Sequence, residues 1–193
     1  MQQTYASLRA MFTPRQLAHL RPGTAGSFQD RAEVVEGPDD VVNYSAHELT
    51  GYLPNTLLRD ADVMSMAHSL EVRVPLLDHE LVSCVAAVPG HLKLGSTSKP
   101  LLTAACGSLP PQVSTRRKMG FTLPMDVWFR GALRSRIAGI LDDSRVERVG
   151  ILDPSSVRSL WQSFLRGSQY VSWSRVWTVA ALLEWSERHD VWI

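Results

Sequence analysis

MSMAHSLEVRVPLLDHELV spans Met64–Val82 and sets Glu71, Arg73 and Asp78 between two apolar blocks, with Pro75 in the middle. Proline disfavours the helical conformation in the residue before it, so Val74 is extended, and the short, β-branched LEVRVP reads as a crossing segment. Upstream, Leu57, Leu58, Met64 and Ala67 follow helical spacing from Pro54 to an end near Ser69. Downstream, Asp78 is a good N-cap for a helix with Leu81, Val82 and Val85 inward, stopped by Pro89 and Gly90. In the extended segment Glu71 and Arg73 point to one face, which lets them pair with each other or with Asp62. The stretch has two readings: two helices tied across an extended crossing by structural ion pairs, or the wall of an active site.

Helical patterns continue on both sides. Residues 4–20 read as one short amphipathic helix with Leu8, Met11, Phe12, Leu17 and Leu20. The Gly-, Pro- and Asp-rich residues 21–43 read as a long loop, and Ser45 with Glu48 forms a capping-box pattern ahead of Leu49, Tyr52 and Leu53. A helix is expected from Lys99 and Pro100 to Cys106. Another, capped by Thr122, has Pro124 near its start and Val127, Trp128 and Leu133 inward. Asp153 and Pro154 open a helix with Val157, Leu160, Trp161 and Phe164 at i, i+3, i+4 and i+7, ended by Gly167. The last helix uses Trp173, Val176, Trp177, Ala180 and Leu183. The tryptophans gather toward the C-terminal end, which predicts a packed helical layer there. Strands are scarce, and the fold class is mostly α.

Composition narrows the function. The 193 residues, 45% of them hydrophobic, suffice for one domain or a large piece of one. A net charge of +1 gives no global attraction to nucleic acid or membrane, so any polyanion site is local. No apolar run approaches the ~20 residues of a membrane span, and the N-terminus lacks a signal-peptide core. Cys84 and Cys106 have no CxxC or Cys/His ligand spacing and read as buried thiols of a reducing, cytoplasmic compartment. His68, His79 and His91 lack ligand spacing, so no metal site is expected. P-loop, GxGxxG and GxSxG patterns are absent.

Two basic features remain. A lysine at a helix start, as at Lys99, is disfavoured by the helix dipole by roughly 0.3–1 kcal/mol unless an anion is shared there. It reads either as a solvated surface lysine or as a phosphate-binding cation. RRKMGF, Arg116–Phe121, places three cations beside Gly120, where the backbone can approach a phosphate or carboxylate closely; alternatively it is a solvated turn.

Together SMAHSLEVRVPLLDHELV, SKPLL and RRKMGFTLPMDVWFRG resemble the C-terminal part of the synthetase domain of glutamine-hydrolysing asparagine synthetases. The resemblance implies the helical C-terminal portion of an α/β, adenine-nucleotide alpha-hydrolase-like (ATP-pyrophosphatase) domain. It divides the chain into residues 1–44, a helix and long loop, and residues 45–193, carrying the motif blocks. It also implies an ATP- and Mg2+-dependent amidotransferase. Aspartate is adenylated with release of pyrophosphate, and ammonia from glutamine displaces AMP. Lys99 then stabilises charge on the phosphates, as the catalytic and phosphate-binding residue, an electrostatic role of the kind that often dominates catalysis. The resemblance implies phosphate binding beside it by Arg116, Lys118 and Gly120. Asp62, Glu71, Arg73 and Asp78 are active-site scaffold, fixing geometry more than touching substrate.

The match has departures. Asp62 is followed by Val63 where the family has arginine, and Thr103 stands where arginine often follows the K-x-L-L block. The S-G-G-x-D-S nucleotide loop and the N-terminal glutaminase cysteine do not occur. The chain is therefore expected to be a partial domain completed by an upstream segment or partner chain. A non-catalytic helical module, or a related synthetase adenylating another carboxylate, are the alternatives.

Overall fold

The computed structural model describes residues 2–22, 37–95, 99–117 and 123–191. These form helices joined by turns and loops, with no strand among them. In chain order the α-helices are α1 (Gln2–Arg9), α2 (Pro14–Leu20), α3 (Asp40–His47), α4 (Arg59–Met66), α5 (His79–Ala87), α6 (Gly90–Lys93) and α7 (Pro100–Ala105). They continue with α8 (Pro111–Ser114), α9 (Met125–Arg130), α10 (Arg134–Ile140), α11 (Asp143–Val149), α12 (Pro154–Leu165) and α13 (Trp173–Arg188). The chain forms two compact units: Met1–Leu8 with Gln29–Gly120, and Arg9–Phe28 with Phe121–Ile193.

In the first unit α1 lays Tyr5 against α3. Its ring stacks on His47 at 4.8 Å between centroids and meets Tyr44 edge-on at 5.5 Å. Tyr5 and His47 are buried, an unusual centre for a small unit. Helix α3 begins at Asp40, not after Ser45. Asp39 is its N-cap, accepting from the Val42 N–H at 2.9 Å. The capping box expected at Ser45 does not form, because that residue lies inside the helix and its hydroxyl donates to the Val41 carbonyl oxygen at 2.7 Å. From Glu48 to Leu58 the chain winds as a π-helix around Pro54. Proline supplies no N–H and crowds the preceding turn, which a wider winding relieves. Thr50 Oγ1 and Asn55 Nδ2 donate to the Ala46 and Gly51 carbonyl oxygens, each at 2.8 Å.

The crossing segment forms no helix, and Val74, expected to be extended, has φ -121° and ψ 75° where the chain enters a 3-10 turn at Pro75–Leu77. Asp78 then caps α5, accepting from the Glu80 and Leu81 N–H groups at 3.0 and 3.3 Å. The expected inward face is not buried: Leu81 and Val85 are exposed, as are Met64, Leu70, Val72 and Leu76. Local capping and proline rules set these elements; burial depends on neighbours this unit does not supply.

The second unit holds the hydrophobic core. Phe129, Val146, Val149, Val157, Phe164, Val176, Ala180 and Leu183 are fully buried in it, with Ile137, Ile140 and Trp161 around them. Helix α12 follows its sequence pattern closely. Asp153 accepts from the Ser156 N–H at 2.7 Å, Pro154 occupies the first turn, and Gly167 takes a left-handed φ of 79° just past the end. In α9 the buried residue is Phe129; Val127 and Trp128, expected inward, are exposed. Likewise α13 buries Val176, Val179, Ala180 and Leu183, while Trp173 and Trp177 sit at its edge. Thr122 lies outside the described residues.

Residues 4–20 are not one helix. Thr13 restarts the chain with a capping box of its own: its hydroxyl accepts from the Gln16 N–H, and the Gln16 side chain accepts from the Thr13 N–H at 2.9 Å. Helix α2 is then tied into the second unit by the Asp153 N–H and the Ser156 hydroxyl, which donate to the Leu20 and His19 carbonyl oxygens, each at 2.8 Å.

Candidate functional site

Lys99 stands immediately before α7 with φ 58° and ψ 59°, a left-handed conformation. A side chain with a Cβ disfavours this region by roughly 1–2 kcal/mol, and the following proline adds to the restriction. The conformation is held from the helix side: the Lys99 carbonyl oxygen accepts from the Thr103 N–H at 3.0 Å and from its hydroxyl at 3.2 Å. Lys99 is exposed, and no ion pair or side-chain hydrogen bond among the described residues engages its ammonium. Strained backbone, held by local hydrogen bonds and carrying a free charge, is the kind of feature that concentrates at functional positions.

Arg116 and Arg117 follow α8 and are exposed. Lys118 and Gly120, the other expected phosphate-binding residues, lie outside the described residues, as does Phe121. No hydrogen bond or ion pair among the described residues joins Arg116 to Lys99.

Arg73 pairs with Glu71, Nη2 to Oε1 at 2.6 Å, rather than with Asp62. Both side chains are open to water, at 84% and 71% exposure, so the pair contributes about 0–1 kcal/mol and orders the crossing only weakly. Asp62 lies exposed in the first turn of α4; its carbonyl oxygen accepts from the Ser65 hydroxyl at 3.1 Å. Asp78 serves α5 as N-cap. The four scaffold residues thus act in separate local roles, and only Glu71 and Arg73 meet.

Asp39 is a positioning residue that the GPDD stretch signalled and the loop reading overlooked. Its second carboxylate oxygen accepts from the Gly90 N–H at 2.8 Å, joining the starts of α3 and α6. Helix α6 packs in turn against α7, which Lys99 opens. Hydrogen bonds from the Val42 N–H, then from the Gly90 N–H, hold the Asp39 pKa below its ordinary value. Gly90 is buried, and a Cβ there would collide with the Asp39 carboxylate and come within 2.7 Å of the Val41 Cβ.

Lys99 and Arg116 are exposed and have no acidic partner among the described residues. No three His, Cys, Asp or Glu side chains there gather as a metal-ligand set. Cys84 and Cys106, expected to be buried, are exposed free thiols, so burial lends nothing to the compartment inferred from them. None of the described helices is long and apolar enough to cross a membrane.

Residues 2–187 match the asparagine synthase family model, and the chain belongs to that family. It is 29% identical over 136 residues to asparagine synthetase (glutamine-hydrolyzing) 1 of Bacillus subtilis (strain 168), covering 69% of this chain and 21% of that protein. It is 28% identical over 198 residues to a putative asparagine synthetase (glutamine-hydrolyzing) of Mycobacterium bovis, covering 96% of this chain and 29% of that protein. Amidase chry2 of Gibberella zeae is 26% identical over 149 residues, covering 72% of this chain and 22% of that protein. The chain therefore spans between a fifth and a third of the length of these relatives. No solved structure matches it significantly.

Proposed function

We propose that this chain is the helical, phosphate-facing part of an asparagine synthetase-like synthetase domain of α/β parent fold, working with a segment or partner that carries the nucleotide loop. The reaction would be ATP-dependent amidation of aspartate by ammonia from glutamine, with AMP and pyrophosphate released. The observation that carries this reading is Lys99: a family member's lysine in the matching motif, held left-handed and exposed with its charge free.

ATP, as substrate, supplies the activated phosphate that makes the aspartate carboxylate reactive. The part played by this chain is electrostatic. The Lys99 ammonium offsets negative charge that grows on the departing phosphates, a stabilisation present only as the bond breaks. Arg116 and Lys118 would make the potential around the same phosphates more positive, and Gly120 would let the backbone approach them. Glu71 and Arg73 pair within the crossing, Asp78 caps α5, and Asp62 stands in the first turn of α4. Any Mg2+ would come with the nucleotide phosphates.

Similarity to amidase chry2, whose name is not that of an asparagine synthetase, leaves a second reading in which another carboxylate replaces aspartate.

Pyrophosphate release with ATP, Mg2+, aspartate and ammonia tests the proposal. The purified chain is assayed together with an upstream synthetase segment carrying the S-G-G-x-D-S loop. Aspartate-dependent release is expected, falling at least 100-fold in Lys99→Ala with the helical circular dichroism unchanged. Lys99→Gly, which relieves the left-handed strain, should fold at least as stably and be as inactive. Release that survives both substitutions would overturn the role of Lys99; release indifferent to aspartate would be uncoupled ATP hydrolysis and would overturn aspartate as the acceptor.

A further inference from the structure

Helix α13 has a second face that the core does not use. Val176, Ala180 and Leu183 point into the core of the second unit. Trp177, Glu184, Trp185 and Arg188 turn elsewhere and, with Trp128 of α9 and Arg136 of α10, line a groove of about 460 Å³ within that unit. The three indoles are 38%, 47% and 52% exposed for Trp128, Trp177 and Trp185. Tryptophan is the side chain most costly to leave in water, and three around one depression make an apolar patch, not a solvated face.

Charge and length restrict the occupant. Among the described residues Glu184 is the groove's one carboxylate, set against Arg136 and Arg188; Arg145 engages it at 2.9 Å while also pairing with Glu187. Arg136 and Arg188 are exposed, and no ion pair or hydrogen bond among the described residues engages either. The rim is therefore positive. The groove follows α13 from Trp177 to His189, about 18 Å at ~1.5 Å per residue, the length of three helical turns. A single-ring carboxylate would occupy a fraction of it; a helix laid alongside would fill it.

We propose that this groove docks an amphipathic, acidic helix of a partner protein. The partner's apolar stripe lies on Trp128, Trp177 and Trp185, and its carboxylates meet Arg136 and Arg188. Aromatic anchors ringed by charge are the usual source of both affinity and orientation at such surfaces.

The probe is a fluorescein-labelled synthetic peptide of about 15 residues, with leucines at i, i+3, i+4 and i+7 and flanking glutamates, long enough as a helix to span the groove. Anisotropy and intrinsic tryptophan fluorescence are read on the whole chain. Saturable binding with a change in tryptophan emission is expected. It should weaken at least tenfold in the Arg136→Glu/Arg188→Glu variant, which should instead prefer a peptide with lysine in place of glutamate. Equal binding of a scrambled peptide, no binding, or no exchange of preference in the variant would overturn the proposal. So would sedimentation showing that the groove is closed by a second copy of the chain. The charge-swapped peptide keeps the test valid if the variant is less stable. None of these readouts needs turnover, so failure here is separate from failure of the synthetase reading.

Discussion

The Arg130 guanidinium lies over the face of Phe164, 4.2 Å from the ring centroid, while its Nη1 donates to the Phe164 carbonyl oxygen at 2.5 Å. The same nitrogen donates to the Leu165 carbonyl oxygen at 3.0 Å, and Nε donates to Asp126 at 2.9 Å. One side chain from the end of α9 thus satisfies two carbonyls at the end of α12 and covers a core ring. Arg130→Met keeps the stem and removes the fork. Thermal melts followed by tryptophan fluorescence should show a fall of several degrees, and amide exchange should quicken first in the last turn of α12. An unchanged melting temperature would mean that water serves those carbonyls equally well.

Gly90 carries a sharper steric constraint. Its amide must reach Asp39, and no room remains for a Cβ beside Asp39 and Val41. Gly90→Ala is expected to cost about 1–3 kcal/mol, the usual range for forcing atoms into a filled site. Urea unfolding of the first unit would measure it. If Lys99 acts as proposed, pyrophosphate release should fall as well, because α6 supports α7.

Acid should weaken the fold through three capping aspartates. Asp39, Asp142 and Asp153 have lowered pKa values in the folded chain. The leading causes are the Val42 N–H for Asp39, the Ser144 hydroxyl for Asp142 and the Ser155 hydroxyl for Asp153. A lowered folded pKa means that the unfolded chain binds protons first as pH falls. Their stabilisation is complete above the ordinary value of 3.8 and is lost as pH drops through the lower folded values. Urea midpoints should be flat from pH 7 to about 5 and fall below 4. Asp153→Asn should flatten part of that acid limb; a midpoint that rises on acidification would contradict the assignment.

Ser186 is fully buried on α13, and its hydroxyl has no hydrogen-bond partner among the described residues. An unsatisfied buried hydroxyl costs about 1–3 kcal/mol, while alanine suits both the helix and the core. Ser186→Ala is expected to stabilise the second unit by roughly 1 kcal/mol. A loss of similar size in chemical denaturation would reveal a partner for the hydroxyl.

Local chemistry was legible along the chain. Asp78, Asp153, Pro154 and Gly167 marked helix ends correctly, because capping and proline effects act within a few residues. The i, i+3, i+4, i+7 stripe of α12 placed Val157, Trp161 and Phe164 in the core. Facing was less legible. In α9 a shift of one residue, about 100° of rotation, exchanges Phe129 for Trp128, and short apolar runs do not say which is inward. The restart at Thr13 and the cap at Asp39 were both written in the sequence, as TPRQ and GPDD, but lay within stretches read as one helix and one loop. Of the candidate site, the residue types in the three motif blocks were legible. The left-handed backbone of Lys99 was not, because it depends on how α7 accepts the chain.

The sequence by itself determined the mostly helical class, the sites of capping and the family blocks, since each rests on bonds between near neighbours or on the order of residues. Only the tertiary structure decided that Arg73 meets Glu71, that Asp39 holds Gly90 across 51 residues, and that the core gathers in the second unit. Burial and long-range hydrogen bonds are set by which surfaces meet, and many pairings satisfy the same local pattern equally well.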